Sequence, residues 1–184
     1  MKKFHICIIA LLVTLVCTAF TQLPFYFNTN QRLAIENQKS IHFMEQEYIF
    51  GYGNEIQNEY FPKGESINSF QSLIAVYVFK NQTDPLLTAN KLYNKLTAKQ
   101  QIAQLAIHRF TKEPHLSFIL KTSKGLELNL WRFYRNPDHS EVLGLQYLRI
   151  FDIPQSFEQQ NKLKNSIHTI DDNFMLLPKL EFIW

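Results

Sequence analysis

The sequence predicts an α+β domain in which an antiparallel β-sheet is covered by two amphipathic helices. Three observations carry this. Runs with period-2 alternation of apolar residues dominate from Ile41 to Phe151. Most of these runs are separated by turns of hairpin length, which join antiparallel neighbours. Two segments, opening at Asp84 and Ser156, instead show helical spacing. A sheet with one apolar face, or two, buries them against helices, and this sets the layered class.

Ile41 to Phe50 predicts the first strand, with Ile41, Phe43 and Ile49 on one face and Met44, Tyr48 and Phe50 on the other. Gly51-Tyr52-Gly53-Asn54 predicts a turn, and Ile56 to Phe61 a returning strand. Pro62-Lys63-Gly64-Glu65 turns the chain again. Leu73 to Phe79 (LIAVYVF) is a nearly continuous apolar run, the pattern of a strand buried on both faces. Asp84 is placed to cap a helix with Pro85 in its first turn, followed by Leu86, Ala89, Tyr93 and Leu96. A strand is expected from about Gln104. His115 to Lys121 and Leu126 to Tyr134 form a hairpin about Thr122-Ser123-Lys124-Gly125. Asn136-Pro137-Asp138-His139 turns into a strand over Val142 to Phe151. Ser156 and Gln159 make a capping box for a helix with the stripe Phe157, Leu163, Ile167, Ile170 and Phe174. The tail ends with Leu180, Phe182 and Trp184 at period 2. The expected order is three strands, a helix, about four strands and a helix.

The N-terminus has its own logic. Lys2 and Lys3 precede an apolar stretch from Phe4 to Phe20, and small residues close it at Cys17-Thr18-Ala19. This is the pattern of a secretory signal peptide over residues 1–19. The alternative is an uncleaved anchor, because the apolar segment continues through Leu23-Pro24-Phe25-Tyr26-Phe27 and is then long enough to span a bilayer. Residues 20–40 form a lead-in to a single domain over 41–184. The expected location is periplasmic or secreted, or anchored in the inner membrane with the domain outside the cytoplasm.

Removing the leader changes the composition of the chain. All 184 residues together carry 19 Lys+Arg against 16 Asp+Glu. Without Lys2 and Lys3 the balance is 17 to 16, too even for a dedicated nucleic-acid binder. Both cysteines, Cys7 and Cys17, also lie in the leader. A mature chain would have no disulfide, no Cys nucleophile and no Cys-ligated metal. About 165 residues can fold on a core alone, since a domain of that size buries roughly two-thirds of its unfolded surface.

Two stretches resemble uncharacterised exported proteins of Gram-negative bacteria over about Ile41 to Ile170. One is Tyr60-Phe61-Pro62-Lys63-Gly64-Glu65-Ser66 with Phe70 and the later Asp84-Pro85. The other is Leu128-Asn129-Leu130-Trp131-Arg132-Phe133-Tyr134 followed by Gly144-Leu145-Gln146-Tyr147. The element order also resembles the Mog1/PsbP-like fold. The resemblance implies a fold and a compartment, and no catalytic residues.

No catalytic motif, Gly-rich phosphate loop, metal-ligand spacing or cofactor signature is present, so no cofactor and no enzymatic activity are expected. His42, His108, His115, His139 and His168 fall in no ligand spacing. Trp131, Arg132, Tyr134 and Arg135, with Arg149 on the next strand, interleave aromatic and basic residues, the composition of interface anchors. The competing reading of the same residues is a half-buried strand with one core side and one wet side. Glu45 and Glu47, two apart in the expected first strand, would share a face and could serve a ligand or a hydrolytic reaction; otherwise they are a solvated strand face. The leading expectation is a protein-binding, adaptor or immunity-type module with a protein partner in the cell envelope. The alternatives are a small-ligand binder or hydrolase using the Glu45/Glu47 face, and an inner-membrane-anchored periplasmic domain.

N-terminal sequencing of the protein recovered from cells separates the two fates of the leader. A start at Phe20, or at Gln22 if Ala19-Phe20-Thr21 is the site, is expected for cleavage, and a retained Met1 in the membrane fraction for an anchor.

Overall fold

A computed structural model of the chain describes residues 40–98, 102–108, 113–136 and 140–180. The leader, most of the lead-in, both cysteines, His139 and the tail beyond Leu180 lie outside the described residues.

Among the described residues eight strands form one sheet: β1 (Ser40–Phe43), β2 (Gln46–Gly53), β3 (Gln57–Pro62), β4 (Ser72–Phe79), β5 (Ile102–His108), β6 (His115–Thr122), β7 (Gly125–Arg135) and β8 (Val142–Phe151). Among the described residues two helices accompany them, α1 (Pro85–Thr97) between β4 and β5 and α2 (Phe157–Leu176) after β8. The sheet order is β1-β2-β3-β4-β8-β7-β6-β5, and every neighbouring pair is antiparallel. Two four-strand meanders are thus joined by α1 and meet along the β4–β8 seam. That seam runs unbroken from Ser72↔Arg149 to Phe79↔Val142. The antiparallel α+β class expected from the sequence is the one observed.

The seam is central because its residues are apolar on both sides. Ile74, Val76 and Val78 of β4 belong to one core cluster, and Leu73 and Ala75 to another. Successive side chains on a strand point to opposite faces, and each helix takes one face. α2 lays Ile170 and Phe174 against Leu128, Leu130 and Tyr134 of β7 and Leu143, Leu145 and Tyr147 of β8. α1 lays Ala89 and Leu96 against Leu116, Phe118, Trp131 and Phe133.

Both helix starts obey the expected chemistry. Asp84 Oδ1 accepts from the amides of Leu86 and Leu87 at 2.8 and 3.1 Å, and Pro85 occupies the first turn. Ser156 Oγ accepts from the Gln159 amide at 3.2 Å, while Gln159 Oε1 reaches back to the amide of Gln155 at 2.6 Å.

Two expectations are corrected. Ile41 to Phe50 is not one strand. Phe43 pairs with Gln46 across a two-residue turn in which Met44 and Glu45 have φ of 48° and 64°. Such a turn is normally built from Asn-Gly or Asp-Gly, so Met-Glu gives no warning of it. The hairpin puts Ile41, Phe43 and Tyr48 together in the α2-side core and leaves Ile49 exposed. The α2 stripe also grades along the helix. Phe174 and Ile170 are buried, Ile167 and Leu163 are half-buried, and Phe157 is 77% exposed.

Two glycines in the left-handed region make a matched test of the turns. Gly125 has φ of 136°, and a Cβ there would run into the backbone oxygen of Phe151. Gly64 has φ of 91° with open space around it. Gly64→Ala should cost about 1 kcal/mol, the conformational term alone. Gly125→Ala should cost clearly more, because backbone must also move, and should give the lower thermal midpoint of the two. Equal midpoints would contradict the register of the β7–β8 edge at Phe151.

Candidate functional site

β7 carries most of the residues singled out from the sequence, and alternation divides them between faces. Trp131 is buried on the α1 side in an aromatic cluster. Its ring lies 5.0 Å from Tyr77 and stacks on Phe133 at 5.8 Å and 12°. Arg132 and Tyr134 point to the α2 side and are buried as well. Arg135 is exposed at the end of the strand, opposite Val142. Arg149 is exposed on β8, with its guanidinium 5.2 Å from the Phe151 ring centre. Seven residue steps along β8 separate Val142 from Arg149, about 23 Å at 3.3 Å per residue. These five residues therefore form no single surface, and neither side of β7 is wet at Arg132.

The reason is the end of α2. Its last turn contains no basic residue, and its final carbonyls come to rest on the sheet. A buried helix end needs donors for those oxygens. Arg132, only 5% exposed, supplies them: Nη1 donates to Phe174 O at 3.2 Å and to Leu177 O at 2.5 Å. Its Nη2 donates to Glu113 Oε2 at 2.9 Å. Glu113 also pairs with Lys179, whose ammonium lies over the Tyr134 ring. The Tyr134 hydroxyl donates to Leu180 O at 2.7 Å, and burial pushes that phenol well above its ordinary range. Beside them, His115, opposite Arg132 in the β6–β7 ladder, places Nε2 2.9 Å from Asp171 Oδ1 of α2. The cluster is a clasp that fastens α2 and the segment after it to β6 and β7.

The acidic pair does not meet as expected from strand alternation. Glu45 occupies the β1–β2 turn, while Glu47 lies within β2 and its carboxylate is 3.5 Å from Lys63 Nζ. His108 of β5 stands opposite His115 of β6 in the ladder, and His115 also joins the clasp, while His42 is on β1 and His168 is exposed on α2 near Asp172. Among the described residues no group of three or more His, Cys, Asp or Glu is placed to hold a metal ion.

Two features escaped the sequence. On the α1 side Gln146 Nε2 donates to Asn129 Oδ1 at 2.7 Å, and Asn129 Nδ2 to Glu127 Oε1 at 2.9 Å, a polar ladder inside the sheet face. Such polar positions inside strands give no periodic signal of burial. The second is a shallow, mainly apolar groove of about 260 Å³ beside β2 and β3. Ile49, Phe50, Phe61, Pro62, Glu65 and Ile67 line it. Ile49 and Ile67 are 37% and 52% exposed. The turn behind it is stitched down: the Glu65 amide donates to Pro62 O at 2.8 Å, and Glu65 Oε2 accepts from the Gln71 amide at 2.7 Å. The Pro62-Lys63-Gly64-Glu65 turn signal is its only trace in the sequence.

The clasp sets a pH dependence through Glu113. Burial alone would raise its carboxyl, but hydrogen bonds and charge from Lys179 and Arg132 outweigh this and hold it below the ordinary value. A carboxylate depressed in the folded state stabilises above its unfolded pKa, about 4.3, and loses that contribution as pH falls through the folded value. Glu113→Gln should therefore lower stability by about 1 kcal/mol at pH 7, with the difference from wild type shrinking below about pH 4. Chemical denaturation at the two pH values measures it, and a difference independent of pH would contradict the pairing.

No curated protein matches the chain. The crystal structure of the Saccharomyces cerevisiae Ran-binding protein Mog1p is similar over 71% of this chain and 82% of its own length, with 10% identity and a TM-score of 0.44. A protein-family model matches residues 35–176, which take in all eight strands and both helices, and the chain belongs to that family.

Proposed function

We propose that this chain is an exported protein-binding module of the cell envelope, of adaptor or immunity type. The observation that carries the reading is the groove beside β2 and β3, with Ile49 and Ile67 exposed on a rigid, hydrogen-bonded frame. Exposed apolar side chains on ordered elements are what a protein partner buries. Glu65 in the groove and Glu47 near its rim give it acidic character, with Lys63 engaged by Glu47. The partner that fits is a protein segment presenting an apolar side chain next to a basic one. The leader over residues 1–19 supports the compartment, and the near-neutral remainder argues against nucleic acid. Among the described residues no helix is long and apolar enough to cross a membrane, so contact with a membrane would fall to an uncleaved N-terminal segment.

The test is site-specific photo-crosslinking in cells. A photoreactive residue at Ile67 should capture a defined partner, and the same residue at exposed Gln160 on α2 should not. Ile49→Asp should reduce capture from position 67 at least tenfold while leaving the thermal midpoint within a few degrees. Equal capture from both positions, or no effect of Ile49→Asp, would remove the groove from the interface.

A further inference from the structure

We propose that the groove beside β2 and β3 continues into a cation subsite at Glu59, so that the partner is read as an extended segment carrying an apolar side chain and, two residues away, a lysine or arginine. The inference rests on the groove reading above and gives that partner a sequence code.

Glu59 and Phe61 are alternate residues of β3 and share one face of the sheet. Phe61 lines the groove and stands opposite Ile49. Glu59 stands opposite Tyr52 on β2 and Ala75 on β4. Tyr52, Phe61 and Ala75 belong to one apolar cluster on this face. The Glu59 side chain is thus half-buried in largely apolar surroundings, about 6.6 Å along the strand from Phe61.

Among the described residues this carboxylate has no cation. Its side-chain partner is the neutral amide of Gln57, whose Nε2 donates to Glu59 Oε1 at 3.3 Å. The lysines of the flanking turns are engaged elsewhere, Lys63 with Glu47 and Lys80 with Glu55. Burial, unopposed by a positive neighbour, pushes the Glu59 carboxyl above its ordinary value. Glu65 in the groove differs, because its carboxylate already accepts from the Gln71 amide and holds the turn.

The ligand follows from this chemistry. One carboxylate beside one amide offers too few oxygens for a metal ion. A single ammonium or guanidinium matches it in charge and gains further from the partly buried Tyr52 ring on the neighbouring strand. The exposed Ile49 and Ile67 ask for an apolar group in the adjoining groove. In an extended chain, side chains two residues apart lie on one side at about 6.6 Å, the interval between Glu59 and Phe61. Adjacent residues of such a chain point to opposite sides and could not fill both positions.

Selection of a random decapeptide phage library on the full chain tests this. Wild type should enrich peptides with an apolar residue two positions from Lys or Arg, and Ile49→Asp should abolish the enrichment. Glu59→Gln should keep the apolar preference and lose the basic one. It should also bind the most enriched wild-type peptide, made synthetically, at least fivefold more weakly. Glu59→Lys should turn the preference at that position to Asp or Glu, an inversion that a folding defect cannot produce. If Glu59→Lys does not fold, Glu59→Gln decides, since removing a half-buried charge without a cation should not lower the thermal midpoint. Apolar peptides without a basic residue, a basic residue three or four positions away, or a basic preference that survives Glu59→Gln would overturn the subsite and leave the groove standing. No enrichment, or peptides indifferent to Ile49→Asp, would remove the groove reading and this inference with it.

Discussion

α2 ends on the face of a sheet, where the oxygens of Phe174 and Leu177 need donors beyond the capping Leu177 amide, which reaches Phe174 O at 3.2 Å. Arg132 resolves this from the middle of β7. One guanidinium serves both carbonyls and the Glu113 carboxylate, and its charge lies at the negative end of the helix dipole. Burying an arginine is costly unless its hydrogen bonds are well made. Here charge-assisted bonds from Nη1 and Nη2 offset that cost in part, with Nε buried and unpaired among the described residues, and Lys179 and Tyr134 tie the segment after α2 to the same place. Because the helix end is held there, Ile170 and Phe174 sit over Leu130, Leu143 and Leu145, and Leu177 and Leu180 join the same core.

The rest of the architecture depends on a sheet apolar on both sides along the β4–β8 seam. One helix cannot cover two faces, so α1 closes the opposite side over Leu116, Phe118, Trp131 and Phe133. Its coverage centres on the β6–β7 side of that face. Toward β2 and β3 the work passes to Phe61 and Phe70, whose rings are 5.6 Å apart, and to the loop after β3. That change from helix to loop is where the groove lies. The groove is thus a consequence of this layout, a face that a helix covers only in part.

Much of this is legible in the residues. Asp84-Pro85, Ser156 with Gln159, and the LIAVYVF run each state a local rule that tertiary packing does not override. Properties of the environment are not legible in the same way. Alternation on β7 correctly separates Arg132 from Trp131, but a polar position on a strand is the same letter whether it faces water or a helix end. Helical spacing identifies the face of α2 but not how far the sheet extends beneath it, so the stripe includes Phe157, which lies in solvent. The Met44–Glu45 turn lacks the glycine or asparagine that normally announces positive φ, so a hairpin reads as one strand. With that turn, Glu45 and Glu47 lose the shared face that strand alternation implies.

The clasp also bears on the groove, since β2 and β3 belong to the sheet that α2 helps to hold. Arg132→Met removes the guanidinium while keeping an apolar side chain of similar reach. Hydrogen exchange followed by mass spectrometry then compares peptides covering residues 170–177 with peptides covering β4 and β8. If Arg132 holds the helix end, protection over residues 170–177 falls at least tenfold while the β4–β8 seam keeps most of its protection. Unchanged protection at the end of α2, or an equal loss across the seam, would contradict the role assigned to Arg132.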